Sequence, residues 1–206
     1  MTKRAPGPVP IALVHHANQY LITNGYDNRQ GISEIAEGYA RVLALHRRYQ
    51  VPASLHLSGT LLEALAWHHP ELVGSVADLV AEGLFCLVGG TYSESIMTVF
   101  PPVMMHRQLQ ELLGLYEDLL GCPPAAVKMC WVPERVWAPE LADLLTSEKL
   151  RNGGYRYVFL DDRLLFPTNG SYPGSPRACF DAAGPFGMSA LPPIAARFPR
   201  RAACTP

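Results

Sequence analysis

Apolar residues in this chain follow two patterns, short continuous runs and longer stretches in which they recur at helical spacing. The continuous runs predict strands buried on both faces, and the helical spacing predicts amphipathic helices between them. The predicted strands cover residues 9–14, 52–59, 84–88, 125–131 and 157–160. The predicted helices cover residues 32–48, 61–67, 70–82, 101–120 and 139–150. Because helices separate the strands, the pattern indicates an α/β fold with a parallel sheet and helices packed outside it.

The five predicted βα units suit either a barrel or an open doubly wound sheet. Beyond Phe166 the alternation ends, Pro, Gly and Ser dominate as far as Pro193, and the last ten residues show no periodicity. We therefore predict a partial barrel domain over residues 1–166 and an irregular Pro/Gly-rich tail over residues 167–206. A barrel that stops after five strands leaves an open edge, so we expect the chain to be a fragment, either truncated or frameshifted near its end.

The composition favours a neutral ligand. Lys and Arg total 17 against 18 for Asp and Glu, so no charge excess points to nucleic acid or to an anionic membrane surface. No apolar run approaches the roughly 18–20 residues of a membrane span, and residues 1–4 lead into prolines rather than a signal-peptide hydrophobic region. We therefore expect a cytoplasmic protein. The five cysteines have no C-x-x-C spacing, which argues against both a disulfide framework and a zinc ribbon.

Polar side chains cluster where each predicted strand ends. In parallel α/β folds these ends lie on one side of the sheet, where ligands bind, so the clusters predict one shared site. Its candidate members are His15 or His16, His56, Tyr92, Glu94, Trp131, Glu134, Arg135, Asp161 and Asp162. Each has a structural alternative, since a histidine can be a satisfied core residue and a carboxylate can cap a helix. We expect the remaining histidines to lie away from the site; they are His46, His68, His69 and His106.

Residues 128–140 carry the strongest signal. A strand that stops at a proline is followed by Glu134 and Arg135, which lie between Trp131 and Trp137. Ionised groups beside large apolar rings cost several kcal/mol unless they are paired, so packing explains this arrangement poorly. The two indoles can serve as flat apolar platforms and Glu134 as a reactive carboxylate. The alternative is a surface turn in which Glu134 merely pairs with Arg135.

These motifs resemble the N-terminal catalytic region of glycoside hydrolase family 57, α-glucan hydrolases and transferases built on an incomplete (β/α)7 barrel. Residues 131–141 resemble the family motif W-x-x-E-R-V-W-x-P-E-L, which holds the nucleophile. Residues 89–96 resemble G-G-x-Y-x-E-P-I with Ser95 in place of the proline, and residues 157–162 resemble a strand ending in Asp-Asp. The first family motif is matched more loosely, because residues 16–20 keep its histidine and glutamine but not its proline.

The resemblance implies an incomplete (β/α)7-type barrel and a retaining double displacement on an α-glucan or oligosaccharide, with Glu134 as the nucleophile. It implies that substrate is bound by His16, Gln19, His56, Tyr92, Glu94, Trp131, Arg135, Trp137 and Asp162. Arg135 would help to keep Glu134 ionised if the two side chains meet. The resemblance implies no cofactor and no metal ion, and it leaves the oligomeric state open.

The proton donor is harder to place. In the family it is an aspartate in a later motif, which in this chain would fall close to or beyond Pro206. The carboxylates that follow Glu134 are Glu140, Asp143, Glu148, Asp161, Asp162 and Asp181. None of them lies in a matching motif, and Asp181 is only a weak candidate. We therefore expect the chain to carry half of the catalytic pair.

Two other functions are compatible with the same residues. In a metal-dependent carbohydrate deacetylase of related barrel shape, zinc would be held by His15 or His16, by His56, and by Asp161 or Asp162. That reading predicts loss of activity with a chelator, to which a glycosidase of this family would be indifferent. A degenerate, non-catalytic barrel would bind glucan or a partner chain without turnover.

Overall fold

The computed structural model describes residues 11–18, 29–159, 179–181 and 189–191. Within these ranges, five strands form one parallel sheet whose spatial order follows the chain. They are β1 Val14–Ala17, β2 Ala53–Leu57, β3 Phe85–Gly89, β4 Met129–Trp131 and β5 Tyr157–Phe159. The α-helices are α1 Arg29–Tyr49, α2 Gly59–His68, α3 Pro70–Ala81, α4 Pro102–Leu120 and α5 Leu141–Leu145. Two further strands, β6 Cys179–Asp181 and β7 Ser189–Leu191, form an antiparallel pair within the segment predicted to be an irregular tail.

The strand order distinguishes a barrel from a doubly wound sheet. Each connection moves one strand further in the same direction, whereas a doubly wound sheet reverses its order. The sheet also curls, since the rings of His16 on β1 and Trp131 on β4 have centroids 4.2 Å apart although β2 and β3 lie between them. Strands spaced about 4.8 Å apart would separate β1 from β4 by about 14 Å in a flat sheet. The predicted incomplete barrel is therefore confirmed as a curled half-barrel.

The ends of several elements differ from the predictions. β1 begins at Val14, where the predicted strand ended, so both histidines that follow belong to the strand. β4 has only three residues, because Pro124 lacks a backbone N–H and residues Pro124–Ala126 form a short 3-10 turn. The predicted helix at 139–150 is reduced to α5, where the carbonyl of Leu145 accepts a hydrogen bond from the amide of Tyr155 at 2.8 Å. That bond turns the chain towards β5.

The apolar core lies between the sheet and the helices. The apolar stripe of α4 is buried at Leu109, Leu112, Leu113 and Tyr116, whereas Leu119 is only partly buried. α2 and α3 contribute Leu61, Leu65, Val76 and Leu79 to the same cluster. None of the helices in the described part of the chain is both long and apolar enough to cross a membrane.

Tyr116 ties α4 to the ends of β2 and β3. Its oxygen accepts a hydrogen bond from the amide of Leu57 at 3.1 Å, and its hydroxyl lies 2.8 Å from the carbonyl oxygen of Leu57 and 3.0 Å from that of Val88. Burial raises the pKa of Tyr116 well above its usual range, so the phenol remains a donor. One helix side chain thus fixes two strand ends immediately below the sheet's carboxyl edge.

Replacing Tyr116 with Phe should lower the free energy of unfolding by about 1–3 kcal/mol, because the buried amide of Leu57 loses its acceptor. Tyr49→Phe is the matched control, since Tyr49 is exposed on α1 and its change should stay within about 0.5 kcal/mol. Urea denaturation followed by circular dichroism compares the two variants. Equal stability of Tyr116→Phe and the parent chain would contradict the bridging role of the hydroxyl.

Candidate active site at the carboxyl ends of the strands

Four aromatic rings lie together on the concave side of the curled sheet. His16 and His56 are partners in the register of β1 and β2, and their rings stack 5.1 Å apart at an interplanar angle of 9°. The ring of Trp131 on β4 stacks on the ring of His16, with their centroids 4.2 Å apart. The ring of Phe159 on β5 lies 6.3 Å from the ring of Trp131. The curl therefore converts side chains from separate strands into one ring stack, which includes three of the predicted site residues.

His15 points to the other side of the sheet. Its Nε2 is 2.8 Å from Nε2 of His46 on α1. Nδ1 of His46 is 2.7 Å from the carbonyl oxygen of Val51, so it carries hydrogen, which makes Nε2 of a neutral His46 an acceptor for His15. Burial and, next, the neighbouring His46 lower the pKa of His15. Of the two histidines that the sequence left open, His16 is the one that belongs to the site.

Glu94 joins the two stacked histidines from the loop after β3. Its carboxylate lies 2.5 Å from Nε2 of His56 and 3.7 Å from Nε2 of His16. His56 is fully buried and Glu94 nearly so, with a side chain that is 10% exposed. The backbone of Glu94 is left-handed, with φ of 56°. A polar cluster of His16, His56 and Glu94, whose ligand-type atoms all lie within 4.8 Å of one another, forms the floor of the site.

Gly90, just before this loop, allows the cluster to form. A Cβ atom on Gly90 would lie 2.6 Å from Cε1 of His56 and 3.3 Å from the carbonyl oxygen of Trp131. Any side chain at this position would therefore displace the imidazole. The loop is also held by Gln108 of α4, whose Oε1 accepts from the amide of Ser93 at 3.0 Å and from its hydroxyl at 3.1 Å. The sequence analysis missed Gln108, since a single polar residue beside the apolar stripe of α4 carries no signal of its own.

Glu134 lies on a strained turn directly after the carboxyl end of β4. Residues Pro133–Arg135 form a 3-10 turn, in which Glu134 has φ of 52° and Arg135 has φ of 54°. Left-handed backbone costs roughly 1–2 kcal/mol for each residue that has a Cβ atom. Both side chains are exposed, and none of the ion pairs among the described residues joins Glu134 to Arg135. The turn is thus at the surface, as in the alternative considered for these two residues, but the ion pairing of that alternative is not seen among the described residues.

The other predicted site residues differ in what they contact. Tyr92 donates a hydrogen bond from its hydroxyl to Oε2 of Glu63 on α2 at 2.5 Å, so its contact with substrate stays a prediction. Trp137 is half-buried and packs against the apolar core. Trp131 has a buried indole Nε1 that finds no hydrogen-bond partner among the described residues. Gln19 and Asp162 lie outside the described residues, as does Asp161.

The pKa of His16 is lowered from its ordinary value by burial and by neighbouring groups. Burial lowers the pKa most strongly and the neighbouring His56 lowers it further, whereas Glu94 and then Glu134 raise it. Glu134 on the turn after β4 raises the pKa of His16 on β1, which is consistent with a Glu134 carboxylate turned towards the carboxyl ends of the strands.

Replacing Glu134 with Gln should lower the pKa of His16 further, because it removes a negative charge that favours the imidazolium. The measurement is an NMR titration of the His16 ring in a buffer with EDTA, which removes metal ions that compete with protons. Glu140→Gln serves as the control and should leave the titration unchanged. A His16 titration that is identical in Glu134→Gln and the parent chain would place the Glu134 carboxylate away from the mouth.

Comparison with known proteins agrees with this geometry. Residues 17–189 match the model of glycosyl hydrolase family 57. Alpha-amylase 1 of Dictyoglomus thermophilum is 30% identical over 115 residues, which make up 56% of this chain and 16% of that protein. The 4-alpha-glucanotransferase of Thermococcus litoralis is 30% identical over 113 residues, or 55% of this chain and 16% of that protein. The matched part of the chain thus spans about a sixth of the length of these relatives.

Solved structures give the same answer for the fold. A crystal structure of 4-alpha-glucanotransferase from Thermococcus litoralis superimposes with a TM-score of 0.61 at 25% identity, covering 73% of this chain and 22% of that one. A Mycobacterium smegmatis protein described as a candidate polysaccharide deacetylase has a TM-score of 0.55 at 16% identity over 84% of this chain and 70% of that one. The second likeness concerns the fold alone. Since the family model covers most of its length, this chain belongs to glycosyl hydrolase family 57.

Proposed function

We propose that this chain supplies the nucleophilic half of an active site for α-glucans, in which Glu134 attacks the anomeric carbon of a sugar. The observation that supports this most directly is the place of Glu134 on the left-handed turn after β4, within electrostatic reach of His16. The relatives that match include proteins named alpha-amylase and 4-alpha-glucanotransferase. Both hydrolysis and glycosyl transfer pass through the same first step, the transfer of a glycosyl unit to the enzyme.

The ring stack suits a neutral sugar. The partly exposed rings of Trp131 and His16 offer apolar surface to the C–H groups of a pyranose, and the imidazole and carboxylate groups beside them can bind hydroxyl groups. The formal net charge of −1 for the whole chain is in keeping with an uncharged substrate. In this proposal the stack binds the sugar under attack, and Trp137, which packs into the core, supports the turn that carries Glu134.

The proposed step is a nucleophilic displacement. A carboxylate oxygen of Glu134 forms a bond to the anomeric carbon as the bond from that carbon to the leaving oxygen breaks, and the leaving oxygen takes the electron pair and a proton. A strained turn is suited to this role, because the left-handed φ of Glu134 directs an exposed carboxylate out of the chain's path instead of into the core. The resulting glycosyl ester is then resolved by water or by a second sugar.

The proton for the leaving oxygen requires a second carboxyl group, about 5–5.5 Å from the nucleophile in a retaining enzyme. Glu94 is the other described carboxylate that influences His16, but it lies 2.5 Å from Nε2 of His56 and acts as the acceptor of that contact. We therefore propose that the acid/base aspartate comes from outside the described residues. Glu94 serves instead to orient the two histidines and the sugar hydroxyls.

A glycosyl fluoride separates the two halves of the mechanism, because fluoride leaves without a proton donor. The purified chain should react with α-maltotriosyl fluoride and accumulate a covalent glycosyl ester on Glu134, since we expect this chain to lack the base that would resolve the ester. Peptide mass spectrometry after quenching locates the label. Turnover of maltotriose-length substrates with an ordinary glycosidic leaving group should be slower by about 100-fold or more, the usual contribution of general acid catalysis.

Two variants control this experiment. Glu134→Gln should abolish labelling, while Glu140→Gln, in the same exposed segment, should label like the parent chain. Labelling of a different residue would reject Glu134 as the nucleophile. Maltotriose binding without any labelling would support the non-catalytic barrel in its place.

A further inference from the structure

His56 lies between two acceptor groups. Its Nδ1 is 2.9 Å from the carbonyl oxygen of Val88, and its Nε2 is 2.5 Å from Oε1 of Glu94. A carbonyl oxygen can only accept, so Nδ1 carries a hydrogen, and in a neutral imidazole Nε2 then carries none. A ring lone pair and a carboxylate oxygen would in that case face each other at 2.5 Å. The contact is relieved if a proton, on the ring or on the carboxyl group, or a metal ion lies between the two atoms.

The orientation of His56 is fixed from behind. The Val88 carbonyl that accepts from Nδ1 also lies 3.0 Å from the hydroxyl of Tyr116, so its position is held by α4. The ring is fully buried and lies directly against Gly90, where a Cβ atom would be 2.6 Å from its Cε1. In metal-binding histidines one ring N–H typically donates to a backbone carbonyl or a carboxylate, as Nδ1 of His56 does to Val88, and the other nitrogen is left to bind the metal ion.

His16 supplies a third ligand atom in the same place. Its Nε2 is 3.7 Å from Oε2 of Glu94, and the three donor atoms of His16, His56 and Glu94 lie within 4.8 Å of one another. Tetrahedral ligands at bond lengths of about 2.0–2.1 Å are roughly 3.3 Å apart. The contact between His56 and Glu94 therefore has to open slightly and His16 has to approach, which its partly exposed side chain at the strand end permits.

We propose that His16 Nε2, His56 Nε2 and the Glu94 carboxylate hold a divalent metal ion of the zinc class at the floor of the mouth. Two imidazoles and one carboxylate suit zinc and leave a coordination position open, whereas Ca²⁺ and Mg²⁺ prefer oxygen ligands. With neutral histidines, the ion and Glu94 together carry one positive charge, which the nearby Glu134 offsets. The open position takes a water molecule or a sugar hydroxyl. This site does not depend on Glu134 acting as a nucleophile.

Calorimetry on the full chain tests the site directly. The protein is stripped with EDTA, dialysed, and titrated with zinc chloride at neutral pH. We expect one saturable equivalent in the parent chain and an affinity at least about 100-fold weaker in His16→Asn and in Glu94→Gln, because each removes a ligand. Cobalt chloride, added to the same samples, should give visible absorption bands in the parent chain that both variants lose.

A surface pair provides the matched control. His69 and Glu71 form a similar histidine–carboxylate contact, 3.2 Å between Nδ1 and Oε1, on an exposed part of the molecule. The double variant His69→Asn/Glu71→Gln should bind zinc like the parent chain. Absence of saturable binding in the parent chain, or equal affinity in Glu94→Gln, would overturn the proposal and leave a proton as the cation between His56 and Glu94. Labelling by the glycosyl fluoride has no bearing on either result.

Discussion

The curl of the parallel sheet is the constraint on which the rest of this structure depends. In a flat sheet β1 and β4 would be three strand spacings apart, and the polar residues at the strand ends would lie in a row along one edge. The 4.2 Å contact between the rings of His16 and Trp131 exists only because the sheet bends around its own concave face. Because of this bend, His16, His56, Trp131 and Glu94 surround one site instead of lying along an edge.

Backbone strain is concentrated where the two carboxylates of the site are presented. Glu94 and Glu134 both have positive φ, and each follows the carboxyl end of a strand. Such residues persist only where their surroundings over-determine them. For Glu94 the surroundings are identifiable, since His56 contacts its carboxylate and Gln108 anchors the loop through Ser93. For Glu134, Pro133 is buried on one side and Trp137 packs into the core on the other, so the turn is fixed at both ends.

Family membership and fold likeness carry different weight here. The family model covers residues 17–189, and the motif around Glu134 falls within it. The structural likeness to the Mycobacterium smegmatis protein rests on 16% identity and concerns only the arrangement of strands and helices. Folds of this kind host unrelated chemistries, so function has to be argued from the residues at the mouth. Those residues offer a carboxylate for a sugar and, separately, a nitrogen and oxygen set for a metal ion.

The sequence by itself determined the order of elements and the class of fold. Continuous apolar runs separated by helical spacing leave little choice except a parallel sheet, and the segment from Trp131 to Leu141 identified the family motif. The apolar stripe of α4 was likewise predictable, because helical periodicity is a local property. Each of these features depends on residues close together in the chain.

The tertiary structure decided how those elements meet. Shifting a strand by one residue exchanges its two faces, so only the pairing of β1 with β2 could show that His16 faces the mouth while His15 faces α1. The same holds for contacts between residues distant in sequence, such as those of Tyr92 with Glu63 and of His56 with Glu94. It also holds for Trp137, whose packing into the core depends on the turn before it. Local patterns carry no information about such contacts, because they arise only when the sheet curls and the loops close over its end.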